Sequence, residues 1–190
     1  MSSPRGEDAE RSADDGFELE PSPATGAIRV AILTVSDGVT TGHREDRSGA
    51  AIASWAGERG HEVIHMEAVP DEVDRIAELL SAWCDGGSVD IVLTTGGTGF
   101  TRRDVTPEAT RPLIERDAPG LAEAIRRRGV AHTSYAVLSR GLAGIRRRTL
   151  IVNLPGSTGG VRDGIAVLDE VLGHAVELLR GGRADHTPPA

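Results

Sequence analysis

Short aliphatic and β-branched runs alternate along this chain with stretches whose apolar residues recur every three or four positions. That alternation constrains the fold more than any other feature. An apolar run of about 4–8 residues bounded by turn residues makes a strand, and a period of about 3.6 makes an amphipathic helix. Strands and helices taken in turn bury their apolar faces best around a parallel sheet covered on both sides. The expectation is an α/β protein, a three-layer αβα sandwich with a mostly parallel central sheet.

Ile28 to Val35 reads as a buried strand ending at the turn Ser36-Asp37-Gly38. A helix is expected over 47–59, with Ile52, Trp55 and Ala56 on one face and Gly60 as its stop. A strand over 62–69 and Pro70 precede a helix whose Val73, Ile76, Ala77, Leu80, Trp83 and Cys84 keep helical spacing. The strand Val89 to Thr95 runs straight into Gly96-Gly97-Thr98-Gly99. Thr106 suits an N-cap and Pro107 a first helical position, with helical segments over about 107–116 and 119–128. Tyr135 to Arg140 and Thr149 to Leu154 read as two strands around an Arg-rich connection, a hairpin. After Pro155-Gly156-Ser157, a last helix carries Val161, Ile165, Leu168, Leu172, Ala175 and Leu179 in one stripe. Residues 1–26 are rich in Ser, Pro, Gly and acid and are predicted to be a disordered tail. The domain is then 27–181, with a C-terminal tail over 182–190.

Composition removes several function classes. No apolar run approaches the ~20 residues of a membrane span, and no charged-then-apolar start marks a secretion signal. With one Cys in 190 residues, a cytoplasmic protein without disulfides is expected. The six His are scattered, so a structural zinc site is not expected. All 21 basic residues are Arg, which excludes a P-loop lysine and a lysine Schiff base. Of the net charge of −8, residues 1–26 hold −5 (two Arg, seven acids) and the remainder −3 (19 Arg, 22 acids). A near-neutral domain with 3% aromatics lacks the basic face and stacking platforms of a nucleic-acid binder. Its local clusters, Arg102-Arg103, Arg126 to Arg128 and Arg146 to Arg148, each suit one anionic small molecule.

Ligands of open α/β sheets bind beyond the carboxyl ends of the strands, and three unusual loops sit there. In Thr94 to Gly99, glycines permit positive φ and let an anion reach backbone N–H groups; the same residues also make a tight turn. Arg102 and Arg103 can neutralise phosphates, and Asp104 beside them can hold Mg²⁺ between phosphate oxygens or serve as an auxiliary cap. Asp71, at the start of the second long helix, fits a helix cap or a second carboxylate on the same rim. Ser157 or Thr158 can cap the last helix while its free N–H groups take a phosphate. Cys84 is expected in the core, and His61, His65 and His174 as packing or surface residues.

Taken together, Ser36-Asp37-Gly38, TTGGTG, the run from Asp104 to Thr110 and Leu154 to Ser157 resemble the MogA/MoaB family of molybdenum cofactor biosynthesis proteins, which includes the G domain of gephyrin. The resemblance spans essentially all of 27–181. It implies a molybdopterin-binding fold, a homotrimer or hexamer, and transfer of AMP from Mg-ATP to the terminal phosphate of molybdopterin for a downstream molybdate-insertion enzyme. By the same resemblance Asp71 and Asp104 are the catalytic, Mg²⁺-holding carboxylates. Ser36, Asp37, Gly38, Thr95, Gly96, Gly97, Thr98, Gly99, Arg103, Pro155, Gly156 and Ser157 are the substrate-binding set. Many relatives carry a Lys after the Leu-Pro-Gly turn where this chain has Gly159 and Gly160, with Arg162 nearby. A non-catalytic molybdopterin carrier of MoaB type is the alternative reading.

Overall fold

The computed structural model describes residues 26–181; the tails expected at 1–26 and 182–190 lie outside them except for Gly26. Six strands form one sheet in the order β2-β1-β3-β6-β5-β4. They are β1 (Arg29–Val35), β2 (Glu62–Val69), β3 (Ile91–Thr95), β4 (Arg116–Asp117), β5 (Ala143–Arg146) and β6 (Thr149–Leu154). The first four in that order run parallel, β5 pairs antiparallel with β6, and β4 pairs antiparallel with β5.

Successive side chains of a strand point to opposite faces, and the central strands obey this strictly. Val30, Ile32, Ile91, Leu93, Leu150 and Val152 face one core with α2 (Arg47–Glu58), α5 (Pro119–Val130) and α6 (Thr158–Arg180). Ala31, Leu33, Val35, Val92 and Ile151 face the other, against α3 (Val73–Asp85) and the short α4 (Thr106–Thr110). Both faces are apolar, so β1 and β3 read as continuous hydrophobic runs. The expected three layers are present.

Sequence signals set the helix ends. The Asp46 carboxylate accepts from Gly49 N–H at 2.8 Å to start α2, and Ser157 Oγ accepts from Gly160 N–H at 3.1 Å to start α6. Gly181, at φ +97°, ends α6 in the left-handed conformation. Trp55 Nε1 donates to Asp169 at 2.8 Å and ties α2 to α6. At the other end of the sheet, Asp90 accepts from Arg29 Nε at 3.1 Å and from Arg180 Nη2 at 2.6 Å, joining the starts of β1 and β3 to the end of α6. Burial pushes the Asp90 carboxyl up, but hydrogen bonds from the two guanidinium groups hold it well below the usual range.

Three expectations need correction. Tyr135 to Arg140 is not a strand: Ser134–Leu138 is a 3-10 turn, and the hairpin partner of β6 is Ala143–Arg146. The β-prone residues Tyr135 and Val137 are 77% and 61% exposed, whereas β5 uses small residues because a Cβ on Gly144 would lie 2.5 Å from Ile114. The helix expected over 107–116 spans only Thr106–Thr110 and gives way to a 3-10 turn, Arg111–Leu113. Pro112 lacks the N–H that would continue the ladder. Thr106 is the first helical residue rather than the cap, and its hydroxyl donates to Gly96 O at 2.9 Å.

Candidate active site

In the parallel ladders Thr34 pairs with Thr95 and Thr95 with Leu154, so β1, β3 and β6 end level. The loops that follow them therefore emerge side by side. Thr95 Oγ1 donates to Pro155 O at 2.9 Å, and a Cβ on Gly156 would lie 3.1 Å from Gly96 Cα. The glycine loop and the Pro-Gly-Ser turn touch backbone to backbone.

Gly96 and Gly97 have φ of +98° and +62°. A Cβ on Gly96 would meet Val35 O at 2.3 Å, and one on Gly97 would meet Thr106 Oγ1 at 2.3 Å and Asp71 Oδ1 at 3.3 Å. Positive φ and close approach both require glycine here. A Cβ on Gly99 would likewise lie 3.0 Å from Asp104 Oδ2, so the loop runs between the two expected carboxylates.

Each carboxylate is held differently. Asp37 N–H donates to Asp71 Oδ2 at 2.9 Å, and Asp71 N–H donates back to Asp37 Oδ1 at 3.1 Å. Arg103 grips Asp37 through Nε at 2.9 Å and Nη2 at 2.6 Å. Burial pushes the Asp71 carboxyl up and the charges of Asp37 and Asp104 add to this, against the N–H of Asp37 and the charge of Arg103. The Arg103 fork holds Asp37 below its ordinary value. Asp71 is not the helix cap that its position allowed: Glu72 stands at the α3 N-cap without a side-chain bond. Asp104 accepts from Thr101 N–H at 2.8 Å. Burial raises its carboxyl, but hydrogen bonds from Thr101 and Gly99 and the charge of Arg140 bring it below the ordinary value.

A cavity of about 940 Å³ opens beside the loop. Gly96 to Gly99, Asp104 and Pro155 to Ser157 form one wall. The other is built by the end of α5 and the turn after it, with Arg126, Arg128, His132, Tyr135 and Ser139, and by Arg162 and Asp163 of α6. Ser36, Asp37, Gly38, Asp71 and Arg103 do not line it; they form a charged shelf joined to it across Gly97. Ser36 caps a one-turn helix, α1 (Asp37–Thr40), by accepting from Val39 N–H at 3.3 Å. Thr95 is buried and braces the loops, and Thr98 is 5% exposed.

Sequence reasoning missed the second wall. The Arg126 to Arg128 cluster suits an anion by its charge, but nothing in its spacing ties it to the glycine loop, and Tyr135 reads as a strand residue. It also missed Arg140, whose N–H donates to Thr98 O at 2.9 Å and whose Nε donates to Gly99 O at 2.7 Å. The same guanidinium reaches the carbonyl of Asp104 and the carboxylate of Glu108, so one side chain ties the glycine loop to the Asp104 turn. Phe100, beside the loop, is 68% exposed.

The arrangement offers backbone N–H groups and arginines for phosphates and flanking carboxylates for a cation. Among the described residues no group of three or more His, Cys, Asp or Glu gathers around one point. A Mg²⁺ ion is generally held by one or two carboxylates together with substrate phosphates.

The family model described as a probable molybdopterin binding domain matches residues 31–174. The molybdenum cofactor synthesis protein cinnamon of Drosophila melanogaster is 42% identical over 154 residues, 80% of this chain and 26% of that protein. The chain thus spans about a quarter of the fly protein's length. The molybdopterin adenylyltransferase of Helicobacter pylori is 38% identical over 156 residues, 81% of this chain and 89% of that one. The crystal structure of the molybdopterin biosynthesis enzyme MoaB from Thermus thermophilus is 48% identical with a TM-score of 0.76, over 81% of this chain and 97% of that one. The matched segment contains the glycine loop, both carboxylates and the Pro-Gly-Ser turn. The chain belongs to the molybdopterin-binding domain family of the molybdenum cofactor biosynthesis proteins.

Proposed function

We propose that this chain is a molybdopterin adenylyltransferase that uses Mg-ATP. The observation that carries the reading is the run of Gly96 to Gly99 between the carboxylates of Asp71 and Asp104, at the mouth of a cavity with arginines on its far wall. The likeness to the Helicobacter pylori enzyme over most of both chains supports it.

In this reading a terminal phosphate oxygen of molybdopterin attacks the α-phosphorus of ATP. The new P–O bond forms as the bond to the β-phosphate oxygen breaks, and pyrophosphate leaves. Little covalent work falls to the protein; positioning and charge supply the rate. The N–H groups of Gly97 to Gly99 and of Gly156 and Ser157 hold phosphate oxygens. Arg103 keeps Asp37 in place and, through it, Asp71. Asp71 and Asp104 would hold Mg²⁺, which when bound offsets negative charge on the phosphates. The expected substrate-binding set thus divides into a part in the cavity, a part on the shelf, and the buried Thr95 that braces the loops.

The family resemblance suggests self-association as a homotrimer or a hexamer, for which the exposed Val137 offers apolar surface. The adenylylated product passes to a molybdate-insertion enzyme, and a cytoplasmic setting suits the free, buried Cys84. A carrier that binds molybdopterin without reacting is the second reading, favoured by Gly159 and Gly160 where a cation is expected.

The deciding experiment mixes purified protein, molybdopterin and Mg-ATP and follows adenylylated pterin by mass spectrometry. Product from wild type but not from Asp104→Ala, with pterin affinity retained in the variant, is the expected result. Unchanged turnover in Asp104→Ala overturns the assignment, and tight pterin binding without product moves the chain to the carrier class.

A further inference from the structure

At the amino ends of β1, β3 and β6 lies a second cavity, of about 710 Å³. It sits a strand's length, about 17 Å for five residues, from the loops already described. Arg29, Arg147, Arg148 and Arg180 line it together with only two carboxylates, Asp85 and Asp90. In a chain of net charge −8 this pole is cationic.

The two carboxylates are committed. Asp90 accepts from Arg29 and Arg180, and Asp85 accepts from Arg146 at 2.7 Å and from Arg147 Nε at 2.8 Å. Arg147 thus spends only Nε, and its terminal nitrogens have no partner among the described residues. Arg148, exposed beside it, makes no hydrogen bond or ion pair with any described residue.

Arg147 and Arg148 form the turn between β5 and β6, where Arg146 pairs with Thr149. Arg147 has φ +51°, the only non-glycine residue with positive φ among the described residues, and its N–H is held by Glu115 at 2.9 Å. Glycine adopts that region without the clash an L side chain meets there. Positive φ at its first residue is what the two-residue turn between β5 and β6 calls for.

We propose that this cavity is a second anion-binding site, taking phosphate or carboxylate oxygens on Arg147 and Arg148 with Arg29 and Arg180 behind them. Guanidinium groups bind both kinds of oxygen in the same forked geometry. The anion comes from one of two sources. One is a free phosphate-bearing molecule. The other is the chain's own acids at Asp14, Asp15, Glu18 and Glu20, whose sequence leads to Ala27, the carbonyl acceptor of Arg180 at 3.0 Å. A tether that short places carboxylates at millimolar effective concentration.

The test uses the full chain, labelled with ¹⁵N, and follows the arginine Nε–Hε signals at roughly 10 mM salt, where screening reaches about 30 Å. Inorganic phosphate is titrated into wild type and into a variant with Asp14→Asn, Asp15→Asn, Glu18→Gln and Glu20→Gln. Saturable movement of the Arg147 and Arg148 signals by phosphate, equal in both proteins, supports a free anion. Movement of those signals on neutralising the four acids, with tighter phosphate binding in that variant, supports the chain's own carboxylates. In the double variant Arg147→Gly, Arg148→Ser the remaining Arg29 and Arg180 signals should respond to phosphate about tenfold more weakly or not at all. Glycine suits the φ of position 147, so this variant keeps the fold, which near-ultraviolet circular dichroism checks. Signals of Arg147 and Arg148 that move with neither phosphate nor neutralisation, or all arginine signals drifting together without saturation, overturn the proposal.

Discussion

Alanine at Gly97 tests the loop directly. The backbone there has φ +62°, a region that costs an L-residue roughly 1–2 kcal/mol. The added Cβ would also lie 2.3 Å from Thr106 Oγ1, far inside contact distance. Thr106 is fully buried and bonds to Gly96 O at 2.9 Å, so moving it strands a buried hydroxyl at about 1–3 kcal/mol. The two costs together put Gly97→Ala about 2–5 kcal/mol below wild type in urea unfolding. A displacement of about 1 Å in a loop that positions substrate lowers turnover by about 10²-fold. The control is Gly159→Ala, the same change in the first turn of α6, where a Cβ meets nothing within 4 Å. There alanine relieves backbone entropy and is expected to stabilise by about 0.5–1 kcal/mol. Both assays are run on both variants. A Gly97→Ala protein within about 0.5 kcal/mol of wild type and fully active refutes the reasoning, as does equal damage at both positions.

Other perturbations have equally definite outcomes. Asp90→Asn should cost about 2–3 kcal/mol at neutral pH, because the carboxylate holds two guanidinium groups. Its carboxyl lies below the unfolded value in the folded state, so the stabilisation is present above about pH 4 and is lost as pH falls further; the gap between variant and wild type in urea titrations should narrow there. Asn153 is buried, donates to Thr94 at 3.0 Å and Thr110 at 3.1 Å, and accepts from Leu142 N–H at 3.2 Å. Asn153→Leu strands these groups and should destabilise by about 1–3 kcal/mol. Arg140→Ala should lower turnover with a modest loss of stability, and Arg140→Lys should recover little, because one ammonium cannot span three acceptors. Cys84 is 1% exposed with its thiol pushed up to about 12 by burial, so it should resist thiol reagents until the chain unfolds.

The core was legible because its rule is simple. In β1 and β3 every residue but one is buried, and α3 and α6 keep one apolar stripe. Strand-end placement likewise brought Thr95 to Gly99 and Pro155 to Ser157 together in advance. Legibility failed where partners far along the chain decide the outcome. Tyr135 and Val137 are strong strand formers, yet they have no neighbouring strand, because β4 takes the free side of β5. Asp71 sits where a helix cap would, but its carboxylate turns to the N–H of Asp37, 34 residues away. Arg140 looks like any surface arginine until Thr98, Gly99 and Asp104 are folded around it.

The sheet order also sets when the site comes into being. Thr34 pairs with Thr95 and Thr95 with Leu154, so two loops of about sixty residues must close before the three strand ends meet. Closing long loops costs chain entropy before any contact repays it. A chain still emerging from the ribosome, short of Ser157, therefore has no complete pocket however well its first strands and helices form. Ligand then binds only finished molecules and withdraws them from the unfolding equilibrium by mass action. Supply of substrate should lengthen the life of this protein in the cell as well as occupy it.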